Sequence, residues 1–276
     1  NQPDPAADKS LILNSRILWS FSIAYRKDKK VSYKKTADRA YNYLLENFED
    51  QKYGGFYWLL DSEGNPIKRK KQIYGQAFSL YALSEYFKAF NKDEALKKAV
   101  NTFALIENES YDDKYGGYFE AYSREWSIIE DMSLSKKDLN SAKSMNTHLH
   151  ILEAYTNLYR VWSDPELKEK LEELLKIILN KIIDQKNYRF RLFFDEKWNP
   201  KSETISFGHD IEGSWLIYEA AEILGEQHLL DFAEEFSLKM AAEVLENGRA
   251  EDGSIYYEFE AGKLDKDRHW WPQAEA

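Results

Sequence analysis

The chain has 276 residues, 43% of them hydrophobic, and a formal net charge of −10. This size and composition predict a globular protein with a substantial core. The charge argues against nucleic acid or an anionic membrane as a partner, since both require clustered cations. The absence of cysteine excludes disulfides, thiolate metal sites and cysteine nucleophiles, and it is compatible with a cytoplasmic location. No run of 18 apolar residues predicts a membrane span.

Hydrophobic periodicity predicts helices along the whole chain. Two N-terminal signals support the boundaries: Asn91 with Glu94 three residues later, and Asp164 followed by Pro165. In chain order, the predicted helices are Ser10–Tyr25, Tyr33–Phe48, Gln72–Phe90, Lys92–Glu109, Leu139–Trp162, Asp164–Ile183, His209–Leu224, Gln227–Glu246 and a ninth that begins near Trp270.

A short aromatic signature recurs between alternate helices. It reads DQKYGGFYW at Asp50–Trp58 and DDKYGGYFE at Asp112–Glu120, with weaker copies at Asp184–Phe194 and Glu251–Phe259. Each copy predicts a turn that leads into a brief extended run. The spacing is about that of a helical hairpin with its loops, which indicates a repeated α/α architecture. An open solenoid would have the same repeat. A closed toroid is favoured because the polar and aromatic segments fall at similar places in each repeat.

Three segments place histidine, tryptophan and carboxylates among apolar residues. The segment SFGHDIEGSWLIYEA carries His209, Glu212 and Trp215 at steps of three, so their side chains share one helix face. The segments NTHLHILEAY, from Asn146, and HWWPQAEA, from His269, have the same character. Together they indicate a common pocket for a polar ligand with many hydroxyls. The plain alternative for His209 is a helix N-terminal residue, with Glu212 as a favourable first-turn charge.

A polar stripe follows one face of the helix predicted around His150. It consists of Asn146, His150, Glu153 and Asn157, and it contains no lysine or arginine. A solvated surface is the usual explanation for such a stripe. Here both flanks are apolar, which favours a polar lining inside a barrel. His148 points elsewhere and is expected to be structural.

Several segments resemble the N-acylglucosamine 2-epimerase superfamily, in particular its cellobiose 2-epimerase branch. They include KSMNTHLHILEAYTNLYRVW, SFGHDIEGSWLIYEA, HWWPQAEA, LILNSRILWSFSIAY, IYGQAFSLYALSEY and the two YGG turns. The resemblance implies an all-α (α/α)6 barrel, a helical-hairpin toroid, with residues 1–276 as a single catalytic domain. It also implies that no metal or nucleotide cofactor is needed. The implied activity inverts C2 of the reducing-end glucose in a β-1,4-linked disaccharide.

The resemblance also implies roles for individual residues. Inverting C2 requires a base and an acid beside that carbon, and imidazoles suit both roles because their pKa lies near neutrality. His209 matches the general acid/base, Glu212 the residue that orients it, and Arg16 a group that grips the sugar oxygens. Arg16 could instead be a buried ion-pair partner. The implied catalytic residues are His209, Glu212, His150 and Arg16, and the implied substrate-binding residues are Asn146, Tyr74, Trp215, Trp271 and Glu275.

The same resemblance implies further helices before and after the chain, so that the barrel is incomplete here. A second catalytic histidine is expected beyond Ala276, and the 276 residues alone are expected to epimerise sugar poorly. Three alternatives stay open: a related monosaccharide or N-acylglucosamine substrate, a hydrolase or lyase on the same toroid, and a non-catalytic glycan-binding fragment. A hydrolase would need two carboxylates across a glycosidic bond, whereas the segments contain His–Glu pairs.

Overall fold

The computed structural model describes residues 4–135 and 138–276. No helix within these ranges is both long enough and apolar enough to cross a membrane. The helices in these ranges are α1 (Leu11–Asp28), α2 (Val31–Tyr43), α3 (Ile73–Phe90), α4 (Asp93–Ser110), α5 (Met145–Tyr159), α6 (Pro165–Ile177), α7 (Phe207–Leu224), α8 (Gln227–Asn247) and α9 (Trp270–Glu275). One-turn π-helical segments extend α2 and α6, at Leu44–Phe48 and Ile178–Ile182.

Ten short antiparallel strands connect the helices in the described ranges. They form two three-stranded sheets, β1-β2-β3 and β8-β9-β10, and two pairs, β4-β5 and β6-β7. The strands are β1 (Lys9–Ser10), β2 (Leu59–Leu60), β3 (Pro66–Lys68), β4 (Lys71–Gln72), β5 (Ala121–Tyr122), β6 (Lys143–Ser144), β7 (Phe193–Phe194), β8 (Ile205–Ser206), β9 (Glu258–Glu260) and β10 (Lys263–Asp265).

Two predicted boundaries are wrong. Asn91 does not start α4. It ends α3 in a left-handed conformation (φ 52°), which asparagine tolerates. The helix predicted from Leu139 begins only at Met145, because Lys143–Ser144 pairs with Phe193–Phe194 as a strand. By contrast, the Asp164 cap is confirmed, since its carboxylate accepts the backbone N–H of Glu166 at 2.9 Å.

The chain divides into two compact units. One contains α1–α4 and is built from Asn1–Asp112, Tyr118–Asn140 and Arg160–Trp162. The other contains α5–α9 and is built from Asp113–Gly117, Ser141–Tyr159 and Ser163–Ala276.

Odd- and even-numbered helices differ in how they are buried. In the first unit α1 and α3 pack against each other, with α2 on α1 and α4 on α3. In the second unit α7 packs against α5, α6, α8 and α9. The helices α3, α5 and α7 are buried around most of their circumference, whereas α6 buries one apolar stripe of leucine and isoleucine. Helices buried on nearly all sides are inner helices, and those with a single stripe are outer helices.

The repeated aromatic signature forms a turn closed by an antiparallel bridge in all four copies, and the fourth turn is one residue shorter than the others. In the first copy, the Asp50 N–H donates to Gly55 O and the Tyr57 N–H donates to Phe48 O, both at 2.8 Å. Gly54 and Gly55 have φ values of 72° and 67°, which favour glycine. The predicted turns are therefore confirmed. The antiparallel bridges that close the four copies are Glu49–Phe56, Tyr111–Tyr118, Ile183–Phe190 and Arg249–Ile255.

A side chain from the next inner helix binds three of these turns. We call this contact the turn lock: the fourth residue of the helix bonds the backbone of the residue after the turn. Gln76 accepts the Phe56 N–H at 2.8 Å and donates to the Phe56 carbonyl at 2.9 Å. Gln273 makes the same two bonds with Ile255, at 2.8 and 2.9 Å. Each lock holds the first turn of its helix against a fixed piece of backbone.

Another buried polar cluster supports the first turn. Asp50 Oδ2 lies 3.1 Å from Lys71 Nζ and 2.8 Å from Arg124 Nε, and the side chains of Asp50 and Lys71 are fully buried. Burial would raise the pKa of the Asp50 carboxyl, but hydrogen bonds from Arg124 and Lys71 hold that pKa well below its usual range. Burial lowers the pKa of Lys71 to about 8, against the opposing effect of Asp50.

We expect Asp50→Asn to lower the free energy of unfolding by about 3–5 kcal/mol, because it leaves Lys71 buried without its counter-charge. Since the folded-state pKa of Asp50 is depressed, its stabilisation is present above the ordinary value of 3.8 and is lost as the pH falls below it. Urea unfolding at pH 7 measures the loss. Asp28→Asn is the control: it removes an exposed ion pair with Lys30, and exposed ion pairs contribute little to stability. Equal losses in the two variants would contradict the prediction.

Candidate functional site

Two of the predicted site histidines stand on inner helices that pack against each other. His150 is on α5 and only 5% exposed, and His209 is the third residue of α7 and half-buried. The helices α5 and α7 are in contact, and the rings are close enough for charge on His150 to lower the pKa of His209. The structure therefore brings these two imidazoles to one side of the second unit.

His150 is held by a carboxylate on its own helix. Its Nδ1 lies 2.9 Å from Glu153 Oε2. A carboxylate can only accept, so Nδ1 carries the hydrogen. The polar stripe is not a solvated face, since Asn157 is 3% exposed and the Glu153 side chain 13%. The prediction of a buried polar lining along this helix is confirmed.

His209 is held by Ser206, which precedes α7. The Ser206 Oγ lies 2.7 Å from His209 Nδ1. Ser206 occupies the N-cap position, yet its side chain makes no cap hydrogen bond. By contrast, Ser10 caps α1 by accepting the Leu13 N–H at 3.1 Å. The hydroxyl of Ser206 thus orients the imidazole and does not cap the helix.

Burial lowers the pKa of His209 to about 3, and the charge of His150 lowers it further. The ring is consequently neutral at neutral pH. With Nδ1 bonded to Ser206, Nε2 is the atom that faces any ligand. A neutral imidazole in this state can accept a proton. Glu212, predicted to orient His209, is half-buried on the same helix and can reach the ring only through Nε2.

An indole covers the ring of His209. The Trp271 and His209 ring centroids are 4.8 Å apart. Gly208 makes this approach possible, because a Cβ at that position would lie 2.3 Å from Trp271 Cη2. The neighbouring Trp270 is 75% exposed and takes no part in this contact. The predicted stacking residue Trp271 therefore lies at the start of α7 beside the histidine.

Three further predicted sugar-binding residues also lie in the second unit. Trp215, 41% exposed on α7, donates from Nε1 to Glu275 Oε2 at 3.1 Å. Asn146, the second residue of α5, has a buried Oδ1 with no hydrogen-bond partner within residues 4–135 and 138–276. A buried acceptor of this kind fits a hydroxyl from a ligand.

Arg16 and Tyr74 belong to the first unit, where they meet at Phe78. The Arg16 guanidinium lies 4.9 Å from the Phe78 ring centroid, and the Tyr74 ring is also 4.9 Å from it. Arg16 is exposed, so the alternative that it is a buried ion-pair partner is wrong. Its charge rests on an aromatic face with its donors accessible.

Ser206 and Glu153 were not among the predicted site residues, although both hold a candidate histidine. Each is three residues from its histidine, one helical turn away. This spacing is the sequence feature that could have identified both residues, but a serine before a helix is normally interpreted as an N-cap. His148 is fully buried and its Nδ1 lies 2.6 Å from the Ser144 carbonyl. Burial lowers its pKa to about 3, in keeping with the expected structural role.

Across the part of the chain that the structure describes, no group of three or more histidine, aspartate or glutamate side chains is arranged to hold a metal ion.

A model of the N-acylglucosamine 2-epimerase (GlcNAc 2-epimerase) family matches residues 1–276. The chain belongs to this family. It is 48% identical to a cellobiose 2-epimerase from Bacteroides fragilis over 98% of the chain and 69% of that protein. It is 44% identical to a cellobiose 2-epimerase from Dictyoglomus turgidum over 100% of the chain and 70% of that protein.

A solved structure of cellobiose 2-epimerase from Bacillus thermoamylovorans superimposes with a TM-score of 0.95 at 38% identity, and the match covers 99% of this chain and 70% of that one. The chain thus shares the all-α fold of those enzymes, which are (α/α)6 barrels, over the 70% of that structure that it covers. By family and by relatives it is a carbohydrate epimerase, which is an isomerase. The predictions of fold class and enzyme class are confirmed.

We expect Gly208→Ala to displace Trp271 from His209 and to lower the free energy of unfolding by about 1–3 kcal/mol, the usual penalty of overpacking. In an ordinary helix the same change would stabilise by about 0.5–1 kcal/mol. A double-mutant cycle with Trp271→Ala, followed by urea unfolding, measures the clash. Most of the penalty should disappear when the indole is absent, because Pro272 Cγ, 2.9 Å from the added Cβ, is then the remaining close atom. An equal penalty in both backgrounds would place the clash elsewhere.

Proposed function

We propose that this carbohydrate epimerase inverts C2 of the reducing-end glucose in a β-1,4-linked disaccharide such as cellobiose or lactose, converting it to mannose. The observation that carries the proposal is the pair of imidazoles on two packed helices, each bonded at Nδ1 to its own partner, with the pKa of His209 lowered by burial so that its ring can accept a proton. The names of the two relatives support the choice of disaccharide. A cytoplasmic location is part of the proposal and is compatible with the absence of cysteine.

The reaction requires removal of a proton from a carbon next to an aldehyde. In the open-chain sugar, C2 is that carbon, and loss of its proton gives an enediolate. We assign removal of the C2 proton to His209 Nε2, and inversion is completed when an acid on the opposite face of the enediolate returns a proton to C2. For Nε2 to accept a proton, Nδ1 must carry the hydrogen and donate it to Ser206 Oγ, a geometry that the 2.7 Å contact allows. General acid/base help of this kind is worth about 10²–10⁴ in rate.

The negative oxygen of the enediolate needs a donor. We assign this role to His150, whose positive form is stabilised by the charge-assisted bond to Glu153 at 2.9 Å. Donors already oriented before the reaction stabilise developing charge most effectively. The low exposure of His150 strengthens the interaction, since little water competes for Nε2.

The other polar and aromatic groups would bind the sugar. The unpaired Oδ1 of Asn146 suits a hydroxyl donor, and the indole of Trp271 suits the C–H face of a pyranose. The bonded pair Trp215 and Glu275 would hold the second sugar unit. The sugar-gripping roles of Arg16 and Tyr74 stay predictions from the resemblance.

We expect the protein, incubated with cellobiose in D₂O, to place deuterium at C2 and to form the mannose epimer more slowly than it exchanges this hydrogen, both followed by NMR. His209→Ala should lower both rates by about 10²–10⁴, because the base is removed. His228→Ala is the matched control, since this exposed histidine lies at the start of α8 and should leave the rate unchanged.

The products separate the competing functions. Free glucose from cellobiose would indicate hydrolysis and contradict the proposal. Unchanged sugar without deuterium at C2, despite measurable binding, would favour a glycan-binding protein. Near wild-type exchange in His209→Ala would mean that the base is another residue.

We expect Ser206→Ala to lower kcat by about tenfold with little change in KM, because the imidazole loses the bond that orients it. Ser206→Thr keeps a hydroxyl and should recover much of the rate. Ser10→Ala is the control, since it removes a true helix cap, worth about 1 kcal/mol of stability, without affecting kcat. Steady-state kinetics with parallel thermal unfolding test this. A loss of stability in Ser206→Ala without a loss of kcat would contradict the assigned role.

A further inference from the structure

Asp210 occupies the turn-lock position of α7. Like Gln76 in α3 and Gln273 in α9, it is the fourth residue of its helix. Its Oδ1 accepts the Phe190 N–H at 2.8 Å, which is the first of the two lock bonds. The second bond in the glutamine locks runs from the amide NH₂ to the carbonyl of the same backbone residue. An ionised carboxylate has no hydrogen with which to make that bond.

The second oxygen of Asp210 has an environment that suits a hydroxyl and not an anion. Asp210 is 1% exposed, and its Oδ2 is buried without a hydrogen-bond partner in residues 4–135 and 138–276. A buried, unpaired carboxylate oxygen carries a large desolvation cost. A protonated oxygen at the same place would have a donor to direct at the Phe190 carbonyl.

The charged groups around α7 do not supply a counter-charge. Arg189 in the turn is paired with Glu243 of α8 at 2.9 Å, so its charge is largely neutralised. On α5, His150 is paired with Glu153. On α9, the nearest ionisable group to α7 is Glu275, which is itself acidic and bonded to Trp215. The buried face of α6 is entirely apolar.

We propose that Asp210 is a neutral carboxylic acid that reproduces a glutamine lock, with Oδ1 accepting the Phe190 N–H and protonated Oδ2 donating to the Phe190 carbonyl, and that it thereby positions His209. Burial raises the pKa of the Asp210 carboxyl to about 7, against opposing effects of the Phe190 N–H and Arg189, which supports this protonation state. Asp210 is a positioning residue, since it acts through the start of α7 and not on the substrate.

The lock is consequently sensitive to pH. The folded-state pKa lies above the ordinary value of 3.8, so the stabilising protonated form is fully available below about pH 4. The stabilisation is lost as the pH rises towards 7, where Asp210 ionises in the folded protein. Above that pH the second lock bond is absent, and the first turn of α7, with His209, is held less firmly.

The first test compares Asp210→Asn with the wild type, because asparagine makes both lock bonds at every pH. The folding equilibrium constant of Asp210→Asn relative to wild type should rise by about 10²–10³-fold between pH 4 and pH 7.5, measured by urea unfolding. Infrared difference spectra of the two proteins at pH 6 should show a protonated carboxyl band that the variant lacks. A constant ratio across this range, or no such band, would overturn the proposal.

Gln76→Glu provides the reciprocal control in the first unit. It places a carboxyl in a lock that normally holds an amide. The variant should therefore lose stability as the pH rises, as we expect for Asp210 in the wild type. Neither this measurement nor the infrared band depends on the reaction. If the stability of Gln76→Glu has the same pH dependence as that of the wild type, the lock does not require a hydrogen-bond donor at this position. That result would overturn the proposal.

The kinetic test rests on the proposed function. Asp210→Ala should lower kcat by about 10–10²-fold with little change in KM, because a misplaced base reacts slowly. Asp210→Asn should restore most of the rate and raise the upper pH limit of activity. If the stability and infrared measurements give the expected results but neither the wild type nor any variant epimerises cellobiose, the neutral Asp210 lock is supported and the proposed function is wrong. If Asp210→Ala retains wild-type kcat, the positioning role is wrong.

Discussion

The structure depends on satisfying polar groups at the starts of helices that are buried on nearly all sides. In such a helix, backbone N–H groups of the first turn and any polar side chains are removed from water, and each needs a partner. The turn lock meets this need for the neighbouring turn, since one side chain bonds both the N–H and the carbonyl of a single residue. The same arrangement recurs with Gln273 in the second unit. It fixes the distance between a flexible turn and a rigid helix.

The locks also explain why the candidate site lies where it does. The fourth residue of α3, α7 and α9 is bonded to the turn, while the second, third and sixth residues are available for other contacts. In α7 the third and sixth residues are His209 and Glu212. Reactive side chains are therefore placed on helix starts whose position is already set by backbone hydrogen bonds. A site built this way loses little entropy when substrate binds.

The sequence predicted much of this arrangement. Inner helices such as α3 are identified by their apolar character, and the turns by their glycines. The family resemblance identified His150 and His209. The sequence did not predict the roles of two residues that can each take part in two kinds of local contact. Serine and asparagine are typical helix N-caps, but Ser206 bonds an imidazole and Asn91 ends a helix. Each outcome depends on which partner the tertiary structure brings within reach, and the neighbouring residues in the sequence do not determine that partner.

The π-helical segments at the ends of two outer helices have a consequence for how the repeats diverge. A single π turn accommodates one extra residue within a helix. Leu44–Phe48 and Ile178–Ile182 each end directly before a turn that begins with a bridge to an aromatic residue, Phe56 or Phe190. A one-residue insertion in an outer helix can thus be absorbed before the chain reaches the lock. An outer helix can therefore be one residue longer while the inner helices that carry the candidate site residues keep their register.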